Sequence, residues 1–155
     1  MFKIGDNVMY PMHGAGVIVG IEEKEILGEM RKYFAVQISR KNIKVLLPVD
    51  NLEVTGIRNI VSADEANEAI SFFKDLEDED NVSWNQRYRD NMDKLKSGTI
   101  KEVAYVAKTL LLRDKKKSLS NAERKILSNA KSVFISELEA AKNMSCEEIE
   151  SLLGI

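Results

Sequence analysis

The chain has 155 residues, 44% of them hydrophobic and 31% charged, with a formal net charge of −2. That is room for one ordinary domain or two small ones, and no apolar run approaches the ~20 residues that a membrane-spanning helix requires. The single cysteine, Cys146, excludes an internal disulfide; with no signal-peptide pattern at the N-terminus, a cytoplasmic location is expected. The near-neutral total argues against a nucleic-acid partner, but the distribution does not. Residues 1–60 carry 8 basic and 7 acidic side chains, 61–80 carry 1 and 8, 81–117 carry 10 and 4, and 118–155 carry 4 and 6. A block of net +6 is hidden inside a neutral sum, and patches rather than totals make an electrostatic footprint.

The first sixty residues read as β structure. Val8-Met9-Tyr10 runs to Pro11, and Met12-His13-Gly14-Ala15-Gly16 is a glycine-punctuated turn before the β-branched run 17–21. Leu27-Gly28-Glu29 suits a hairpin tip ahead of a strand at 33–38, and a second turn at 39–42 leads to a strand over 43–47, stopped at Pro48. A short fifth strand is expected at Leu52-Glu53-Val54. Five short strands and tight turns imply a small, strongly bent sheet or barrel of Tudor- or SH3-like type, occupying residues 1–58.

Beyond Gly56 the period becomes helical. Capping-box pairs recur at Ser62/Glu65, Ser83/Gln86, Thr99/Glu102, Ser120/Glu123 and Ser145/Glu148, each ahead of an apolar pattern with helical spacing. They predict five helices near 62–75, 83–97, 99–113, 120–142 and 145–153, with Gly98 ending the second. The expected fold is therefore α+β, a five-stranded module followed by a five-helix bundle over 59–155. The acidic run at 77–80 lacks the glycine and later glutamate of a calcium loop and reads as a solvated linker.

The stretch Ser83-Trp84-Asn85-Gln86-Arg87-Tyr88-Arg89 concentrates the chemistry. The only Trp falls in a first helical turn, with Arg87 and Tyr88 at i+3 and i+4 on its side. A flat ring flanked by guanidinium groups suits nucleic acid, the cations holding phosphates while the ring stacks or wedges. Against this, Trp84, Tyr88, Met92 and Leu95 also form one helical stripe of the kind that builds cores. Catalytic parts are missing from the pattern. His13 is the only His and sits in a turn, where a structural role is expected; Cys146 has no His near it in sequence. No Cys/His spacing suits a metal, so no enzyme activity, cofactor or metal is expected.

The motifs Lys3-Ile4-Gly5-Asp6, Val8-Met9-Tyr10-Pro11, His13-Gly14-Ala15-Gly16, Ser83-Trp84, Arg87-Tyr88-Arg89, Leu95-Lys96-Ser97-Gly98 and Leu119-Ser120 with Glu123-Arg124-Lys125 resemble the CarD/CdnL family of bacterial transcription regulators. The resemblance covers nearly the whole chain. Its β part is also similar to the polymerase-interacting domain of transcription-repair coupling factors; with no Walker A motif and no length for a helicase, a coupling factor is not expected. The resemblance implies that the β module docks on the RNA polymerase β subunit, with Lys24, Lys44, Leu46 and Pro48 as candidate contacts. It implies a helical module that reaches promoter DNA at the upstream fork of the bubble, where Trp84 wedges into the minor groove. Arg87, Tyr88, Arg89, Arg124 and Lys125 are the accompanying DNA candidates. Action as a monomer, and association with the nucleoid through polymerase, are implied too. Two positions depart from the family pattern: Leu46 and Gln86 stand where relatives often carry a basic residue. An adaptor that binds polymerase but uses its helices for another protein stays open, as does a Tudor-like peptide reader, for which Tyr10, Tyr33 and Phe34 are too few to make an aromatic cage.

Overall fold

The computed structural model describes residues 2–77 and 82–155, so the expectation for Asp78, Glu79 and Asp80 lies outside the described residues. Five antiparallel strands, β1 (Asn7–Tyr10), β2 (Gly14–Ile26), β3 (Glu29–Ile38), β4 (Ile43–Pro48) and β5 (Arg58–Asn59), form one sheet in the order β4-β3-β2-β1-β5. Leu27 and Gly28 both take positive φ, 53° and 81°, which is the two-residue turn whose twist matches a hairpin. The β2–β3 register slips between Ile18 and Gly20, and the extra residue Val19 bends the strand there. One face of the sheet packs its own core from Val8, Ile18, Phe34, Val36, Ile38 and Leu47.

The fifth strand is not where the alternation of Leu52-Glu53-Val54 put it. After Pro48 the chain makes a 3-10 turn (Val49–Asn51) and a four-residue helix, α1 (Leu52–Thr55), closed by Gly56 at φ 75°. Leu52 alone packs on the sheet core while Val54 is 78% exposed. A strand would have put both on one face. The strand that completes the sheet is the pair Arg58–Asn59 against β1.

Five further helices follow: α2 (Ala63–Asp75), α3 (Trp84–Ser97), α4 (Ile100–Lys116), α5 (Asn121–Lys142) and α6 (Cys146–Leu153). The described residues therefore hold six α-helices rather than five, α1 being the addition. Ser62, Ser83, Thr99, Ser120 and Ser145 each accept a hydrogen bond from the backbone N–H three residues on. The reciprocal half of the box forms at Ser62/Glu65 and Ser145/Glu148. At the other three starts the N3 side chain works elsewhere: Gln86 bonds Asp90, Glu102 accepts from Ser97, and Glu123 takes an arginine.

Sheet and helices share a core. Met9 and Ala15 belong to the helical apolar cluster with Phe73, Leu95, Val106, Leu110, Phe134 and Leu138. The Ala15 N–H donates to Ser136 Oγ on α5 at 3.1 Å, so this buried backbone group is satisfied across the joint. Gly98, in the left-handed region at φ 73°, lies against Pro11 so closely that a Cβ there would stand 2.8 Å from the ring.

Candidate nucleic-acid interface

Trp84 is the first residue of α3. With no preceding turn beneath it, Trp84 is 42% exposed, whereas Leu95 at the far end of the same stripe is 1% exposed. Tyr88 and Met92 between them are partly buried against the helical core. The stripe thus grades from open tip to core, and Trp84 is not a core side chain. Tyr88 backs the indole, with ring centroids 5.3 Å apart and planes 20° from parallel. Trp84 Nε1 donates to Ser120 Oγ at 3.4 Å, which sets the ring beside the α4–α5 connection.

Arg87, expected beside Trp84 as a DNA contact, is paired in the structure with a carboxylate of α5. Its Nε and Nη2 donate to Glu123 at 2.7 and 3.1 Å, and both side chains are nearly covered, 12% and 3% exposed. A charge-assisted fork of this kind fixes the angle between the starts of α3 and α5. Arg124 spans the α4–α5 connection, donating to Ser118 Oγ at 2.6 Å and to the Leu119 carbonyl at 3.3 Å, with Asp114 at 3.7 Å. Arg89 is exposed and touches Gln86. Lys125 is exposed at the rim of an open groove of about 440 Å³ between α3 and α5, lined also by Met12, Tyr88, Met92 and Ile126.

The structure adds Lys115, Lys116 and Lys117, exposed at the end of α4 just ahead of Ser118 and Ser120. Their signal in the sequence is the block of net +6, which ends at Lys117. At that helix end cations also face the negative pole of the dipole.

On the sheet, the register puts all four polymerase candidates on one face. Lys24 pairs with Arg31 on β3; Pro48, Leu46 and Lys44 on β4 pair with Tyr33, Ala35 and Gln37, the alternate side from Val36 and Leu47. Lys44 donates to Glu22 at 2.8 Å across β3, and that hydrogen bond holds the Glu22 carboxyl below its ordinary range. Leu46 and Pro48 are half-buried, and β4 is an edge strand.

Neither reactive side chain stands at this interface. His13 stacks on Tyr10 with centroids 4.4 Å apart; its Nδ1 is buried without a partner, and burial, then Lys41, lowers its pKa. Cys146 begins α6, but its hydrogen bond to Glu150 raises the thiol pKa, against the lowering a helix start would give. Among the described residues no group of three His, Cys, Asp or Glu is placed to hold a metal, and no helix is long and apolar enough to cross a membrane.

Comparison with known proteins divides along the same lines as the fold. Residues 2–61 match the model of the CarD-like/TRCF RID domain, and residues 68–154 match the CarD C-terminal domain. The chain is also 40% identical over 151 residues to "Putative transcription factor YdeB" of Bacillus subtilis (strain 168), covering 97% of this chain and 99% of that protein.

Proposed function

The chain belongs to the CarD family of transcription regulators, and from that membership we propose that it bridges RNA polymerase and promoter DNA. The sheet segment, residues 1–58, docks on the polymerase β subunit through the β4 edge and the face carrying Lys24, Lys44, Leu46 and Pro48. The helical segment, residues 59–155, places Trp84 against the upstream fork of the melted bubble. The observation that carries this reading is the half-exposed Trp84 at the tip of a helix, backed by Tyr88 and hydrogen-bonded to Ser120 of the α4–α5 connection, which the exposed Lys115, Lys116 and Lys117 precede in the chain.

The physics needs little affinity from DNA contact alone. Docking on polymerase raises the effective concentration of the helical segment at the fork. At a duplex–single-strand junction the bases are already partly unstacked, so an inserted ring costs less than in intact duplex. Tyr88 stiffens the indole beforehand, which reduces the entropy lost on insertion. Contact made with the open state and not the closed one shifts the equilibrium. A several-fold to tenfold longer bubble lifetime requires only about 1–1.4 kcal/mol of such differential contact.

A second reading, an adaptor that binds polymerase and presents its helices to another protein, draws on the apolar groove beside Tyr88. One experiment separates the two. Open-complex lifetime on a defined promoter is measured without protein, with the native chain and with Trp84→Ala. Bridging gives a prolonged lifetime that Trp84→Ala returns to the protein-free value while polymerase affinity is kept. A Trp84→Ala chain that still prolongs the bubble favours the adaptor.

A further inference from the structure

The helix that carries Trp84 is gripped at both ends by forks of one design. At its first turn Arg87 holds Glu123; just past its last, Arg58 holds Glu137 and the carbonyl of Gly98. Glu123 and Glu137 are fourteen residues apart on α5, the same separation as Trp84 and Gly98, so α5 runs beside α3 like a splint. Both carboxylates are buried, 2% and 1% exposed. The two forks differ in what they join. Arg87 and Glu123 lie within the helices, whereas Arg58 belongs to β5, paired through Met9 to β1.

Arg58 uses every donor it has. Nη1 gives to Glu137 Oε2 at 2.7 Å and to Asn59 O at 2.9 Å; Nη2 gives to Glu137 Oε1 and Gly98 O, both at 2.7 Å; Nε gives to Gly98 O at 3.1 Å. Glu137 Oε2 also accepts from the Val61 N–H at 3.0 Å. One planar cation thereby ties the sheet, the foot of α3 and the middle of α5, a task a lysine point charge cannot perform. The contact of Gly98 with Pro11 presses the same foot onto the β1–β2 turn.

We propose that Arg58 and Glu137 are positioning residues that set where Trp84 stands relative to the polymerase-docking sheet, acting through α3 without touching DNA. This rests on the bridging function argued above. At 1.5 Å per residue, α3 is a lever about 21 Å long with its foot on the sheet and the indole at its tip. Because the Arg87–Glu123 fork keeps α3 on α5, the two helices tilt together against the sheet, and a tilt of about 10° at the foot moves the tip by roughly 3.6 Å, close to the ~3.4 Å step between bases of one strand. A loosened fork therefore displaces the ring by about one base step, which is enough to miss a fork junction while leaving both docking surfaces intact.

The test uses the full chain with Arg58→Lys and, separately, Glu137→Gln. Nitroxide labels at Lys32→Cys and Asn85→Cys, in a Cys146→Ser background, report the sheet-to-tip distance by double electron–electron resonance. The core variant Val106→Ala serves as a stability control. Expected for the fork variants is a sheet-to-tip distribution broadened by about 3 Å or more, polymerase affinity within about twofold of native, and a several-fold loss of bubble lifetime. Val106→Ala should keep the narrow distribution and the native lifetime. If Glu137→Gln does not fold, Arg58→Lys decides. A distribution as narrow as native in the fork variants, or the same loss of lifetime in Val106→Ala, overturns the proposal. Should the native chain fail to prolong the bubble, the bridging function falls, and the distance measurement still decides whether this pair positions the helix.

Discussion

Arg87→Ala separates a brace from a phosphate contact. In the structure its side chain is 12% exposed and its guanidinium is forked on Glu123, whose side chain is 3% exposed, so deletion strands a buried charge. Removing one partner of such a pair costs about 3–5 kcal/mol, because the remaining ion keeps its desolvation penalty without its attraction. For a chain of this size that lowers the melting temperature by roughly 6–20 °C. The loss should be nearly the same at low and high salt, since a covered pair is screened little. Replacing both partners by apolar groups, Arg87→Met with Glu123→Leu, should recover most of it, as a well-packed apolar pair is often neutral relative to a buried ion pair. The assay is thermal unfolding of the three chains at two salt concentrations, with DNA binding measured below each melting point. A melting temperature within about 1 °C of native in Arg87→Ala, together with a flatter salt dependence of DNA binding, would refute the reasoning and make Arg87 a phosphate ligand.

Three further outcomes are expected. Leu46→Glu sets a charge on the outer face of the β4 edge; the chain should stay folded and lose polymerase affinity by about tenfold, some 1.4 kcal/mol, and an unchanged affinity removes this face from the docking surface. Arg89→Ala and Lys125→Ala should each reduce the salt slope of DNA binding by about 0.9 log unit per decade with little change in melting temperature; slopes equal to native would take both off the DNA path. His13 holds a lowered pKa, so the unfolded chain binds the proton more readily. Its stabilising effect is full above the unfolded value near 6.5 and is lost as pH falls from there toward the folded value. The drop in melting temperature between pH 7.5 and 5.5 should therefore be smaller in His13→Gln than in the native chain, and equal drops would show that His13 does not contribute.

Helix starts were the most legible part of the fold, because a capping oxygen and its N3 partner are local. All five Ser and Thr caps stand where the pattern placed them. Long-range pairing was the illegible part. Glu123 reads as the N3 member of a capping box, yet its carboxylate turns to Arg87, thirty-six residues away in sequence. A two-residue strand such as β5 has no period to detect, and Leu52-Glu53-Val54 alternates as a strand while folding as a helical turn. The expected strands end at 21 and resume at 33, whereas the β2–β3 ladder runs on to Ile26 and Glu29 around the Leu27-Gly28 turn; that outer arm lacks the apolar face that would have marked it. At the candidate site, the resemblance drew attention to Trp84 and the geometry explains its exposure. The division of labour between Arg87, turned inward, and Lys125, turned outward, needed coordinates, because both read as surface cations near a helix start.

The unequal sharing of the two apolar cores has a consequence for how the chain is made. The sheet's cluster, Val8 to Leu47, is complete within its own segment, whereas the helical cluster requires Met9 and Ala15 from the sheet. Synthesis delivers the N-terminal part first, so the self-sufficient core can close while the remainder is still on the ribosome. In the folded chain that first-made surface supplies the helices with two core residues, the Ala15 amide for Ser136 and the Arg58 fork for Glu137. An N-terminal segment that closes first would give the helical segment a template for its apolar face.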